Sequence, residues 1–283
     1  MRLTLLVAIT MFAFAANSVL NRLAVAEFGM DAFSFAVVRV AAGAVVLVAM
    51  VALHAGERKL PKMVLSWRGP VSLAAYMLGF SYAYQTLGAG LGALILFGAL
   101  QVFLFGWAVW CRQNVQRRQW LGMGVSLLGL GLLLWPSNMI SVPVAGTLAM
   151  LIATAGWATY TVLGRGAADA LAQSALNFTV CLPLVSLGLI GAEVDTGGWQ
   201  GVTCAVVAGG VTSGLGYALW YRVLPKISVT HSALAQLSVP VIAVLGGAAI
   251  LSEPITQRMI MAAALVLGGI AVSTLPMALK GRN

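Results

Sequence analysis

The sequence predicts an all-α polytopic membrane protein: ten transmembrane helices in two inverted five-helix repeats. Three observations carry that expectation. Of the 283 residues, 61% are hydrophobic and 8% charged, whereas a soluble domain carries about 25% charged residues. The apolar residues gather into runs near the ~20 residues that one crossing needs: 3–24, 32–53, 70–88, 91–111, 119–135, 145–164, 171–191, 200–221, 229–251 and 258–279. The third observation is that the chain repeats itself.

Gly216, Tyr221, Leu224 and Leu237 lie 137 positions after Gly79, Tyr84, Leu87 and Leu100. Trp157, Val162, Leu163 and Arg165 follow Phe14, Val19, Leu20 and Arg22 by 143, and Gly268 follows Gly129 by 139. Three matches in the same order with a nearly constant offset point to a duplication. We divide the chain into a first repeat, 1–140, and a second, 141–283. Five spans per repeat is an odd number, so the second enters the membrane in the opposite sense. Such pairs place a substrate site near mid-membrane, where the repeats meet.

The first span also resembles a secretory signal, with Arg2 ahead of an apolar run and Ala13-Phe14-Ala15 as a small-x-small site. Its match to 157–165, which lies mid-chain, makes it a transmembrane span instead. With the N-terminus inside, thirteen of the sixteen basic residues fall on the inner side. Only Arg22 and Arg258 fall outside, and Arg39 sits near the start of the second span. Both termini are therefore expected in the cytoplasm. The same rule accounts for the net charge of +9 without a nucleic-acid partner. Cys111, Cys181 and Cys204 are scattered and odd in number, and read as packing residues rather than as a disulfide or metal set. No cofactor is expected.

Polar residues within apolar helices mark the faces turned to the bundle. Thr10, Phe14, Asn17 and Asn21 step along one face of the first span, matched by Ala153, Trp157, Tyr160 and Gly164 in the sixth. The third span offers Ser72, Ala75, Gly79, Tyr82 and Thr86. The fourth offers Leu94, Gly98, Gln101 and Phe105, and the ninth His231, Ala235, Ser238 and Ile242. The eighth adds Gly210, Ser213, Tyr217 and Trp220. The candidate substrate-binding set is Phe14, Asn17, Tyr82, Gln101, Trp157, Tyr160, Tyr217, Trp220 and Ser238. Interhelical hydrogen bonding is the competing role. Trp110, Trp120, Trp135 and Trp199 read as interface anchors. Pro240 is expected to disturb the ninth span, either as a packing kink or by freeing a carbonyl toward a cavity.

All seven acids (Glu27, Asp31, Glu57, Asp169, Glu193, Asp195 and Glu253) fall in loops or at span ends. A proton-coupled carrier needs a protonatable group within reach of both sides. The sequence therefore favours uncoupled, facilitated efflux, with His231 the nearest neutral-range titrator.

Phe14…Asn17…Arg22, Phe35-Ala36-Val37-Val38-Arg39 and Gly216-Tyr217-Ala218-Leu219-Trp220-Tyr221…Pro240…Ser252-Glu253-Pro254 together resemble the EamA-type drug/metabolite transporters over essentially the whole chain. Within that superfamily the chain is most similar to bacterial inner-membrane exporters of aromatic and other amino acids. The resemblance implies a ten-helix bundle with a central cavity lined by the first, third, fourth, sixth, eighth and ninth spans. It implies alternating access for amino acids and similar amphiphiles, in a monomer or homodimer embedded in the bilayer. Two departures stand out. Phe103 occupies the position aligned with Pro240, and Cys111-Arg112-Gln113 stands where the second repeat has Glu253-Pro254.

Four rivals stand beside this reading. A proton-coupled multidrug or metabolite antiporter of the same superfamily is the nearest. A sugar-nucleotide carrier needs several deep basic residues for its phosphates, where the sequence offers Arg39. An intramembrane transferase needs clustered His, Asp, Glu or Cys, and a channel a repeated filter motif; the sequence shows neither.

Overall fold

A computed structural model describes residues 2–55, 66–112, 115–135, 142–164, 167–192, 194–223, 226–227 and 235–274. Every described element is helical. In chain order they are α1 (Arg2–Arg22, running into a π-helical turn Leu23–Glu27), α2 (Ala32–Ala55), α3 (Arg68–Ala83), α4 (Ala89–Trp110), α5 (Arg117–Leu134), α6 (Val144–Gly164) and α7 (Ala170–Ser186). Then follow α8 (Gly198–Val206), a π-helical stretch Val207–Leu215, α9 (Gly216–Val223), α10 (Ser238–Leu251) and α11 (Gln257–Thr274).

Among the described residues, six helices are long and apolar enough, by length and composition, to cross a membrane: Leu3–Glu27, Ala32–Leu53, Ala89–Trp110, Val144–Gly164, Ala170–Leu189 and Gly198–Trp220. The 16 residues of α3 and 14 of α10 rise about 24 and 21 Å, short of a hydrocarbon core of about 30 Å. The outward faces carry large apolar side chains, among them Leu5, Phe12, Val45, Leu128, Leu148, Ile250 and Ile260. A soluble protein does not expose so continuous an apolar surface, so these faces meet lipid. Trp110, Trp120, Trp135 and Trp199 sit exposed at helix ends, as interface tryptophans do.

Local chemistry fixes the helix starts. The Asp31 carboxylate accepts from Ser34 N at 2.7 Å ahead of α2, and Asp169 accepts from Ala172 N at 3.0 Å to cap α7. Gln116 and Gln119 form a reciprocal capping box on α5. Asp195 accepts from Gly197 N in the turn before α8, where Gly197 and Gly198 take φ +60 and +63, conformations glycine adopts freely.

The helices pack in pairs. α3 lies along α6, α5 along α11, and α2 against both α7 and the π-helical stretch; α1 packs on the π-helical stretch, α9 and α10, and α4 on α6 and α10. Absent side chains make the closest approaches. A Cβ on Gly79 would stand 2.6 Å from Ala149 O, and one on Gly156 2.5 Å from Ser72 O, so α3 and α6 meet backbone to backbone. Gly122 and Gly269 serve α5 and α11 in the same way, and a Cβ on Gly209 would collide with the Arg39 carbonyl. Small residues at such crossings replace the hydrophobic drive that is missing between helices in lipid.

Pro240 disturbs its helix as expected. Ala235 and Gln236 are helical, Leu237 is a turn, and the helix restarts at Ser238. Pro240 has no N–H to donate to Gln236 O four residues back, and the interruption falls in the turn that this missing bond leaves open. The discontinuity lies at Leu237, just ahead of it. His231 lies outside the described residues.

Candidate functional site

A narrow chamber opens between α1, α3, α4, α6, α9 and the segment before α10. Phe14, Asn17, Ser18, Tyr76, Phe80, Ala93, Leu96, Phe97, Trp157, Tyr217 and Gln236 line it. Its rings touch in a chain. Tyr76 lies 5.1 Å from Trp157, Trp157 5.4 Å from Tyr217, and Tyr217 5.9 Å edge-on from Phe14, which meets Trp220 at 6.0 Å. Edge-on and tilted contacts of this kind add to area burial and hold the rings in place. The free space is about 30 Å³, room for a water or two. A solute of amino-acid size enters only if the walls part.

Of the nine candidate residues, Phe14, Asn17, Trp157 and Tyr217 line this chamber. Tyr160 and Trp220 stand directly behind it. Tyr160 stacks on Trp157 at 6.0 Å and donates to Ser174 Oγ at 3.3 Å; Trp220 packs on Phe14. Three lie elsewhere. Tyr82 is 37% exposed and stacks on Phe33 at 6.2 Å. Gln101 donates to Ser273 Oγ of α11 at 3.3 Å, the interhelical bond named as its competing role. Ser238 donates to Ala235 O at 2.7 Å in the break before α10.

One physical cause explains the displaced pair in α3 and α4. The face bearing Ser72, Ala75 and Gly79 is the one pressed against the α6 backbone, and Leu94, Gly98, Gln101 and Phe105 belong to the face toward α5 and α11. Small residues there serve close packing rather than a cavity. The chamber instead takes the neighbouring faces, Tyr76 and Phe80 on α3 and Ala93, Leu96 and Phe97 on α4. A mid-span aromatic pair at i, i+4, Tyr76 and Phe80, was the available signal.

Behind the chamber wall lies the group that the sequence underrated. Arg39, on the third turn of α2, is fully buried. Its Nε and Nη2 each donate to Ser213 Oγ at 3.2 Å, and Nη2 also donates to Tyr76 Oη at 3.2 Å. The guanidinium carbon sits 5.0 Å from the Phe80 ring centre and 5.5 Å from that of Tyr76. Ser213 Oγ donates onward to Asn17 Oδ1 at 3.2 Å, and Thr212 Oγ1 donates to the same oxygen at 2.7 Å. Thr212 and Ser213 belong to the π-helical stretch, whose wider turn brings both hydroxyls to one oxygen; π segments recur at functional sites.

A second polar layer closes one end of the bundle. Arg22 Nε lies 3.6 Å from Glu253 Oε1, and Arg22 Nη1 donates to the carbonyls of Tyr84 and Gln85 at 2.9 and 3.0 Å. Glu253 accepts from Ala89 N at 2.8 Å, capping α4 from across the bundle. Beyond this pair lies a wider pocket of about 290 Å³, bounded by Arg22, Leu91, Glu253, Pro254, Arg258 and Met259. Ser18 lines the inner chamber and Arg22 the outer pocket, so one turn of α1, about 6 Å, separates them.

Comparison with known proteins supplies the rest. The model of the EamA-like transporter family matches residues 144–275. An uncharacterized protein of Pseudomonas aeruginosa is 41% identical over 277 residues, covering 97% of this chain and 95% of its own. An uncharacterized transporter of Archaeoglobus fulgidus is 23% identical over 225 residues, 76% of this chain and 78% of its own. A protein of known crystal structure superposes with a TM-score of 0.64 at 20% identity, covering 94% of this chain and 98% of that one, a likeness of fold. With helices that span the bilayer, an aromatic chamber between them and a relative of this identity along nearly its whole length, the chain is a multi-pass membrane protein that belongs to the EamA-like transporter family.

Proposed function

We propose that the protein exports amino acids, aromatic and other neutral ones, and related small metabolites across the bacterial inner membrane, by alternating access and without ion coupling. The observation that carries this reading is the chamber itself, walled by Phe14, Tyr76, Phe80, Trp157 and Tyr217 with Asn17 among them. Such a wall suits an apolar or aromatic side chain, and the amide offers polar contacts without itself ionising.

The pairing of the walls supports two inverted repeats of five spans. Phe14 and Trp157 are 143 positions apart, Phe80 and Tyr217 are 137 apart, and all four line one chamber. The packing follows the same exchange: α3 on α6 is answered by α8–α9 on α1, α2 on the π-helical stretch by α7 on α3, and α4 on α6 by α10 on α1. In this reading α3 and α10 complete their crossings with the residues flanking them. Helix pairs rock about the glycine crossings, so that the chamber opens to one side at a time. Four of the five described acids, Asp31, Asp169, Asp195 and Glu253, are engaged as caps and turns and the fifth, Glu27, is exposed at the end of the first π turn, which supports uncoupled transport. Both termini lie in the cytoplasm by the distribution of basic residues.

The test is counterflow of labelled phenylalanine, leucine and threonine in proteoliposomes, with and without an imposed pH gradient. Counterflow of phenylalanine that is indifferent to the gradient supports the reading. Exchange that requires the gradient removes the uncoupled mechanism, and no exchange of any amino acid removes the substrate class.

A further inference from the structure

The polar atoms around the chamber have a direction. A guanidinium donates hydrogen bonds and accepts none, so everything bonded to Arg39 must accept from it. Ser213 Oγ accepts from Nε and Nη2, and passes its own proton to Asn17 Oδ1. With Thr212 also donating there, the Asn17 oxygen is occupied. The Asn17 amide nitrogen makes one long bond, 3.3 Å, to Ala13 O, and keeps a second hydrogen. Tyr76 Oη accepts from Nη2, which leaves its own hydrogen to donate. Asn17 and Tyr76 both line the chamber. Each therefore presents a donor to whatever enters, and the orientation of both is set by Arg39.

Charge points the same way. Arg39 is fully buried in an apolar bundle, and among the described residues no carboxylate stands within ion-pairing distance of it. Its Nη1 has no hydrogen-bond partner. A buried charge with neither counter-ion nor full hydrogen bonding is costly, and buried cations are ordinarily paired. Intramembrane ionisable groups kept at such cost mark substrate paths.

We infer that the chamber selects substrates carrying a carboxylate, with Arg39 as the fixed counter-charge behind the wall and Asn17 and Tyr76 as the donors that face the anion. The inference rests on the transporter reading and narrows it. The carboxylate is the obligatory handle, the aromatic wall takes the side chain, and organic cations are rejected because they place a second positive charge beside Arg39.

The experiment uses the full chain in nanodiscs and three probes that share one ring: 3-phenylpropionate, phenethylamine and phenylalanine. Binding is read from tryptophan fluorescence, with Trp157→Phe assigning the signal to the chamber. We expect 3-phenylpropionate to bind at least about tenfold more tightly than phenethylamine, the worth of one charge-assisted hydrogen bond. Tyr76→Phe should weaken the anion about five- to tenfold while leaving the amine unchanged. Asn17→Asp places an internal carboxylate one hydroxyl from Arg39, and should abolish anion binding while improving that of the amine. Both variants keep the volume of the wall, and their elution profile in detergent checks folding. The inference is overturned if the amine binds as tightly as the anion, if neither binds at millimolar concentration, or if Asn17→Asp leaves anion binding intact. Should 3-phenylpropionate bind as expected while phenylalanine counterflow is absent, the amino-acid reading falls and the carboxylate selectivity stands.

Discussion

Arg22 and Glu253 meet at 3.6 Å, and each also holds a piece of backbone that the other does not touch. Arg22 donates to the carbonyls that end α3, while Glu253 accepts from the first amides of α4. The pair thus ties together α1, the α3–α4 connection and the turn after α10. That turn is tight: Ser252 takes φ +54, and Glu253 N donates to Gly247 O at 3.2 Å. Arg22 and Glu253 line the outer pocket one turn of α1 from the inner chamber, and on the proposed transport reading they part when a solute passes.

Glu253→Gln should therefore loosen this end. The substitution keeps one acceptor for Ala89 N but loses the charge facing Arg22 and the α4 N-terminus. We expect destabilisation of about 1 kcal/mol, within the range for a cap or a charge at a helix terminus. A cysteine introduced as Leu91→Cys should react several-fold faster with a soluble maleimide in the Glu253→Gln background than without it. Equal rates would mean that the pair does not close the path.

Among the described glycines some would press a new Cβ on backbone, some on a side chain and some on nothing. Gly79→Ala places a methyl 2.6 Å from Ala149 O and 3.0 Å from Ala153 N, atoms that cannot rotate away. It should cost about 1–3 kcal/mol as overpacking. Gly131→Ala, with no atom within 4 Å of the new Cβ, should be neutral or stabilise by up to about 1 kcal/mol through helix propensity. Thermal unfolding in detergent separates the two.

The chamber predicts a split among aromatic and amide substitutions. Trp157→Ala removes a ring in contact with Tyr76, Tyr160 and Tyr217, and should lower substrate counterflow by tenfold or more, the effect of about 1.4 kcal/mol or more of binding. Tyr82→Ala and Gln101→Leu should leave counterflow within about twofold. Gln101→Leu should instead cost stability of about 0.6 kcal/mol, the mean for an interhelical bond in lipid.

Pro240→Ala checks the discontinuity before α10. Alanine restores an N–H that can bond Gln236 O and close the break at Leu237, and stability should change by no more than about 1 kcal/mol. A larger loss would mean that the ring itself holds the break at Leu237 open.

Much of the site was legible because repeats and helical periodicity are properties of sequence. Phe14, Asn17 and Trp157 fall on faces that the 3.6-residue period picks out, and they reach the chamber. Tyr82 and Gln101 show where the method stops. A stripe of small and polar residues marks a face turned inward, but a close helix crossing and a cavity both leave that mark. Distance to the next backbone decides between them, and that distance is not written in one helix. Arg39 was read only from its place near the start of a span, and as one basic residue where a phosphate carrier needs several. Its burial depends on the π-helical stretch, where Gly209 lets the backbone press against the Arg39 carbonyl and Ser213 reach the guanidinium.

By itself, then, the sequence determined the solvent and the class. A chain with so few charges must place its apolar faces in lipid, and the distribution of its Lys and Arg gives an expected orientation. Tertiary structure decided which inward faces became contact and which became chamber, and that Arg22 and Arg258, the two arginines left outside by the basic count, bind carbonyls at the ends of other helices. The physical reason is range. Hydropathy and periodicity act within a helix, whereas a cavity, a buried charge and its partners exist only between helices, joined here across as many as 196 positions of chain.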